Sequence, residues 1–335
     1  IVRSATPEER VHVADWLRSA IGRFAASDHD QSWAKRAALG FLALLGPDGG
    51  LADEELLAEY RAADLWDDAA FMLLQRGRVD EALGIAARHL GTTQLVAFAN
   101  ELLEMDATRW AAQAIDLVDG RLWEQEGKNQ LEDQVLLAWL ARAYAAHGQP
   151  TKALDLARRR FDRAPSKEAY DAVKTAALLP GQPDDVWERT RPTLQKALRK
   201  QGGPAAMIAI HLEEGEVPAA IEALEASQKK QKNTTYGFGG LWWNDGGGIE
   251  VRIAEAAETS DPDAAIRIYR RLADRQIDVR QRDHYRQAAS YLARVKQIMT
   301  NAGRAEQWTA DIAELRQSHK SLRALREELD ALDLR

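Results

Sequence analysis

The hydrophobic positions of this chain fall three and four residues apart over most of its length, the period of one helical face. The pattern is clearest over residues 136–165, LLAWLARAYAAHGQPTKALDLARRRFDRAP. Leu136, Leu140 and Tyr144 share a face of a first helix; Ala153, Leu154, Ala157 and Phe161 share a face of a second. Between them stands Gly148, whose missing Cβ admits the left-handed backbone that closes a helix in a tight turn. Pro165 follows the second helix, where a residue without an amide N–H interrupts no helical hydrogen bond. The small side chain of Ala153 predicts close approach of the two helices where they cross.

Weaker copies of this pair recur. Trp66, Ala70 and Leu73 lead to Gly77, and Ala82 follows that glycine by the offset that separates Gly148 from Ala153. Gly215 and Ala220 repeat it, and Ala265 and Tyr269 occupy a further second helix although Ser260 replaces the glycine. Segments 93–105, 107–125, 166–179 and 183–200 read as amphipathic helices of similar length. At the N-terminus Thr6-Pro7-Glu8-Glu9 is a helix start, with a hydroxyl cap and acids at the positive end of the dipole. The helix it opens carries Val11, Trp16, Ile21 and Phe24, and the next, from near Asp30, carries Trp33, Leu39, Leu42 and Leu45. The spacing resembles a tetratricopeptide (TPR) repeat, and pairs of this kind bury their apolar faces only by stacking. The expected fold is all-α, a TPR-like right-handed α-solenoid of helical hairpins with roughly 16 to 18 helices.

Two stretches break the period. Residues 119–130, DGRLWEQEGKNQ, are polar and predict the end of an N-terminal subarray. Residues 229–248, KKQKNTTYGFGGLWWNDGGG, gather six glycines and four aromatics without helical spacing. The expected segments are therefore 1–125, 126–228, a Gly/aromatic loop at 229–248, and 249–335. In the last of these Leu322, Leu325, Leu329 and Leu332 form a seam too short for an independent coiled coil, which predicts packing on Trp308, Ile312 and Leu315.

Composition narrows the function. The chain has 335 residues, no cysteine and a net charge of −7. Disulfides and thiolate-held metals are excluded within it, and a generic polyanion binder is disfavoured. No apolar run approaches the roughly 20 residues of a membrane span. The expected setting is the cytoplasm, the expected state a monomer, and no cofactor is expected. The first residue, Ile1, suggests a trimmed chain.

Candidate catalytic groups do not converge. The glycines at 46–50 are followed by Leu51-Ala52-Asp53-Glu54-Glu55, acidic where a phosphate loop needs Lys and a hydroxyl. His12, His29, His89, His147, His211, His284 and His319 are scattered and read as structural or solvated. Adjacent acids such as Glu54-Glu55 point apart on a helix and cannot act as an acid–base pair. No Gly-x-Ser-x-Gly elbow is present. The reading is a protein without catalytic, cofactor or metal residues.

Two features suggest partner contact instead. Arg267, Arg271 and Arg275 form a helical stripe, joined by Arg270, Arg280, Arg282, Arg286 and Arg294. Guanidinium forks suit phosphate and carboxylate alike, so the stripe either reads nucleic acid or pairs with the protein's own acids. Tyr236, Phe238, Trp242 and Trp243, beside Lys229, Lys230 and Lys232, either stack on bases or a peptide, or fold back on the protein.

Four phrases resemble the C-terminal helical region of bacterial SWIM zinc-finger family proteins. They are residues 49–90 (GGLADEELLAEYRAADLWDDAAFMLLQRGRVDEALGIAARHL), 153–170 (ALDLARRRFDRAPSKEAY), 264–298 (AAIRIYRRLADRQIDVRQRDHYRQAASYLARVKQI) and 305–330 (AEQWTADIAELRQSHKSLRALREELD). The family's Cys-x-Cys … Cys-x-His module would lie upstream, and no residue here is assigned to zinc. The resemblance implies an accessory role associated with protein or DNA, with the helices as interaction scaffold. The expected function is protein–protein recognition, a partner protein or peptide docking in a concave groove. The alternative is nucleic-acid binding, phosphates on the 267–294 arginines and bases on the 236–243 aromatics.

Overall fold

The computed structural model describes residues 6–24, 32–45, 52–125, 127–232 and 248–333. Among them are seventeen α-helices, one π-helical turn and no strand. None of these helices is long and apolar enough to cross a membrane. The chain divides into two compact units, Ile1–Arg163 with Thr175–Pro183, and Ala164–Lys174 with Asp184–Arg335.

The first unit opens with α1 (Pro7–Phe24) and α2 (Ser32–Leu45). Thr6 Oγ1 accepts the Glu9 amide at 3.3 Å while the Glu9 carboxylate accepts the Thr6 amide at 2.8 Å, the reciprocal cap the sequence predicts. Val11 and Trp16, expected on the apolar face of α1, are exposed; Ala14, Leu17, Ala20 and Ile21 are the buried set. The three-and-four spacing runs through the small residues, so α1 is held by a face with two alanines rather than by its tryptophan. In α2 the buried residues include Leu39, Leu42 and Leu45, as expected. The glycines at 46–50 and the side chains of Phe24 and Trp33 lie outside the described residues.

Six further helices follow, α3 (Asp53–Ala62), α4 (Trp66–Gln75), α5 (Val79–His89), α6 (Thr92–Gln125), α7 (Gln130–Ala146) and α8 (Pro150–Arg163). Each packs on the next in sequence. Helix α6 is broken at Asp106, whose extended backbone (φ −165°, ψ 94°) interrupts it. The Asp106 carboxylate accepts the Arg109 amide at 3.1 Å and so starts the second half, matching the two segments read from the sequence. The polar stretch from residue 119 begins inside this second half. It stays helical to Gln125, with Leu122 buried and the buried Arg121 donating to the carbonyls of Ala87 (2.8 Å) and Leu90 (2.5 Å) at the end of α5. Its polarity serves a helix end that would otherwise leave carbonyls unpaired.

The second unit takes in α9 (Lys167–Ala177) up to Lys174, α10 (Val186–Ala197), a π-helical turn at Leu198–Gly202, α11 (Gly203–Glu213) and α12 (Val217–Lys232). It continues with α13 (Gly248–Ser260), α14 (Pro262–Asp278), α15 (Arg282–Asn301), α16 (Ala305–Ser318) and α17 (Arg323–Asp333). One hydrophobic core runs from Ile208 to Leu332. Leu325, Leu329 and Leu332 belong to it with Trp308 and Ile312, while Leu322 and Leu315 pack against it, so the leucine seam caps this unit as expected. Residues 229–232, expected in the Gly/aromatic loop, continue α12 instead.

One turn recurs among the described residues. At Asp64, Gly77, Gly148, Gly215 and Gly303 the backbone is left-handed, with φ between +55° and +74°. After each, the next amide donates to the carbonyl five residues back, at 2.7–2.9 Å: Leu65 to Tyr60, Arg78 to Leu73, Gln149 to Tyr144, Glu216 to His211, Arg304 to Met299. That residue's own carbonyl then opens the following helix, accepting from Ala69, Ala82, Ala153, Ala220 and Trp308. All five of these are buried. The glycine–alanine offset in the sequence is the trace of this turn. Where Ser260 replaces the glycine the turn differs: the Asp261 side chain caps α14 by accepting the Ala264 amide at 3.0 Å, with Pro262 in the first turn.

Candidate functional site

The arginines of α14 and α15 lie in the second unit, and each of their guanidiniums faces a carboxylate of the same unit, while Arg280 is exposed in the turn between the two helices. Glu250, on α13, is fully buried. It pairs with Arg275 and, at 3.9 Å, with Arg271, and accepts Gln228 Nε2 at 2.9 Å. Gln228 in turn accepts Arg271 Nη1 at 2.6 Å, so α12, α13 and α14 meet around one carboxylate. Burial lowers the pKa of Arg271 and Arg275 from the ordinary arginine value.

The other arginines are satisfied closer to the surface. Arg270 pairs with Asp311 on α16, and Arg282 with Glu327 on α17 at 3.2 Å. Arg286 reaches Asp283, one turn back on its own helix, at 3.2 Å. Arg294 and the Tyr269 hydroxyl both donate to Glu258, each at 2.8 Å. Burial, then the bond to Glu258, pushes the Tyr269 phenol up. Arg267 stands apart. Its partner Glu225 is 3.8 Å away, and no hydrogen bond reaches its guanidinium among the described residues. At the surface such pairs are worth about 0 to 1 kcal/mol each; a buried carboxylate shared by two arginines is a different case, because removing it strands charge.

Beside Arg267 a groove of about 280 Å³ runs between α12 and α14. Its floor is aliphatic: Ile221 and Leu224 from α12, Ala264 and Ile268 from α14. Its rim is polar, with Glu225 and Gln228 on one side and Arg267 and Arg271 on the other. The groove lies between the second helices of two consecutive pairs, α11–α12 and α13–α14. In the first unit a comparable hollow lies between α4 and α6, lined by Phe71, Leu74, Gln75, Glu101 and Met105.

A second polar cluster ties α9, α10 and the α11–α12 turn. Glu214 accepts Tyr170 Oη (3.2 Å), Lys174 Nζ (2.8 Å) and Arg191 Nη2 (2.6 Å). Arg191 also pairs with Glu216, which lies 2.7 Å from the Nδ1 of buried His211. Burial raises the Tyr170 pKa to about 12, and the hydrogen bond from Arg191 holds Glu216 below the usual carboxylate range. Every side chain of the cluster pairs with another within it, so its chemistry is cohesion.

Tyr236, Phe238, Trp242 and Trp243 lie outside the described residues, as do the side chains of Lys229, Lys230 and Lys232. Among the described histidines His211 is buried, His89 stacks on Trp66 at 3.7 Å, and His284 bonds Gln276, each in a structural setting. No group of His, Asp and Glu suited to a metal ion occurs among the described residues. The sequence reading missed Glu225, Gln228, Glu250 and Glu258, partners contributed from other helices. One signal was available. Glu250 stands in register with Ile253, Ala254 and Ala257 on the buried face of α13, and a charge on an apolar face needs a partner.

The chain matches no protein-family model, and no curated protein matches it. The geometry of these sites is what bears on function.

Proposed function

We propose that this chain is a non-enzymatic helical-repeat scaffold for protein–protein interaction, a TPR-like superhelix resembling the helical part of SWIM zinc-finger proteins. The observation that carries this reading is the recurrent turn. It joins consecutive helices by the same hydrogen bonds at five places, and in each unit most helices pack on a neighbour in sequence. Such arrays are built by adding one supersecondary unit to the next, and their extended faces are what they offer to partners. A protein or peptide would dock through side-chain contacts in the concave groove of stacked helices.

The pairing of the arginines supports the same reading. Binding phosphate through Arg270, Arg271, Arg275, Arg282, Arg286 and Arg294 would require each to give up a carboxylate it already faces, in a chain of net charge −7. The test is a titration of the purified chain with labelled single- and double-stranded DNA at low and moderate salt. No binding at low salt is the expected result, since phosphate attraction is strongest there. Tight, salt-sensitive binding abolished by Arg270→Ala/Arg294→Ala would put nucleic-acid recognition in place of the scaffold.

A further inference from the structure

The geometry points to the α12–α14 groove as the docking site for an acidic–aliphatic peptide, one that places a Leu, Ile or Phe side chain on the floor and an Asp or Glu carboxylate on Arg267. This rests on the scaffold reading and names both the face used and the chemistry of the partner. The groove belongs to the second helices of two pairs, so it is a different surface from a channel lined by first helices.

The floor and the rim ask for different things. Ile221, Leu224, Ala264 and Ile268 present only hydrocarbon, so water held there is displaced favourably by an apolar side chain. At about 280 Å³ the groove lies just below the volumes that enclose drug-sized ligands, which suits one or two side chains of a longer segment. The lining carries two guanidiniums against one carboxylate; Arg271 is turned to Glu250 behind the groove, so Arg267, loosely facing Glu225, is the cation a partner meets.

Of the two arginines Arg267 has the open donors, while Arg271 is held by Gln228 and Glu250. Arg267 is 59% exposed, makes no hydrogen bond among the described residues, and meets Glu225 only at 3.8 Å. Arg271 spends its Nη1 on Gln228, while its Nε is buried without an acceptor. Arg267 is thus a planar fork of open donors at the edge of an apolar trough, and a peptide carboxylate matches that fork in charge and geometry. Glu225 is the competitor such a carboxylate displaces. A nucleic-acid strand would leave the aliphatic floor without a role.

The experiment selects a displayed library of random peptides on the immobilised full chain, then measures the enriched peptides, synthesised with a fluorescent label, by anisotropy. They are measured against the wild type, Arg267→Glu and Glu225→Gln. Both residues are exposed, and circular dichroism confirms that each variant is folded. Enriched peptides should pair an acid with an aliphatic or aromatic residue within one helical turn. Arg267→Glu should weaken them about tenfold or more, whereas Glu225→Gln should tighten them about twofold to threefold. Replacing the peptide's acid by Lys should restore binding to Arg267→Glu. Peptides that bind all three proteins equally would overturn this site and leave the scaffold reading standing. A chain that enriches no peptide would overturn both, and a labelled oligonucleotide displacing the peptide would transfer the site to nucleic acid.

Discussion

At the scale of single residues, one backbone conformation recurs with two kinds of side chain. Gly148 (φ +68°) and Asp64 (φ +55°) close the same turn, yet only glycine takes this conformation without steric cost. A Cβ at position 148 would meet nothing within 4 Å, so Gly148→Ala probes conformation alone. It should cost about 1 kcal/mol in urea denaturation. The reverse change, Asp64→Gly, relieves strain but adds backbone entropy to the unfolded chain, so its gain should not exceed about 0.5 kcal/mol. The glycine–alanine offset made three of these helix pairings legible in the sequence, at Gly77, Gly148 and Gly215. Asp64 was not readable in that way because aspartate is also a common capping and turn residue.

At the scale of elements, helices were legible wherever large apolar residues set the period, and less so where small or polar residues carry the contact. The α7–α8 pair is as expected because Leu136, Leu140, Leu154 and Phe161 are all buried. In α1 the buried face includes Ala14 and Ala20, and the eye is drawn to Trp16 instead. The partners of the arginine stripe were hidden for another reason: Glu250 and Glu327 approach α14 and α15 from other helices, so no spacing along one helix announces them. The tie between α10 and the α11–α12 turn should show itself in acid. Glu216 has its pKa lowered first by the hydrogen bond from Arg191, with a smaller contribution from His211. A depressed folded pKa stabilises above the unfolded value and is lost as pH falls through the folded one. The melting-temperature difference between wild type and Glu216→Gln should therefore shrink as pH is taken from about 6 to about 3. A difference that is constant across that range would mean that Glu216 contributes by packing.

At the scale of the whole molecule, most helices of each unit hold their neighbours in sequence, so damage should spread only so far. Glu250→Ala strands two guanidiniums whose heads partly reach water, and should cost about 3 kcal/mol, the lower end for a broken buried pair. Hydrogen exchange should then rise in α12, α13 and α14 by more than in α16 and α17. A uniform rise across the second unit would show instead that it unfolds as one cooperative block.

The turn at Gly303 differs from its four counterparts in the side chain that opens the next helix. Where they place an alanine against the preceding helix, it places Trp308, and α15 packs more extensively on α17 than on α16. Helix axes stand apart by the size of the residue between them. The indole is buried in the same core as Leu325, Leu329 and Leu332 of α17, and its bulk accounts for the looser packing of α16 on α15. The hairpin rule is thus altered by a change of one side chain's size. Replacing Trp308 by alanine would remove that bulk, leaving α16 free to close on α15 and to compete with α17 for the same surface.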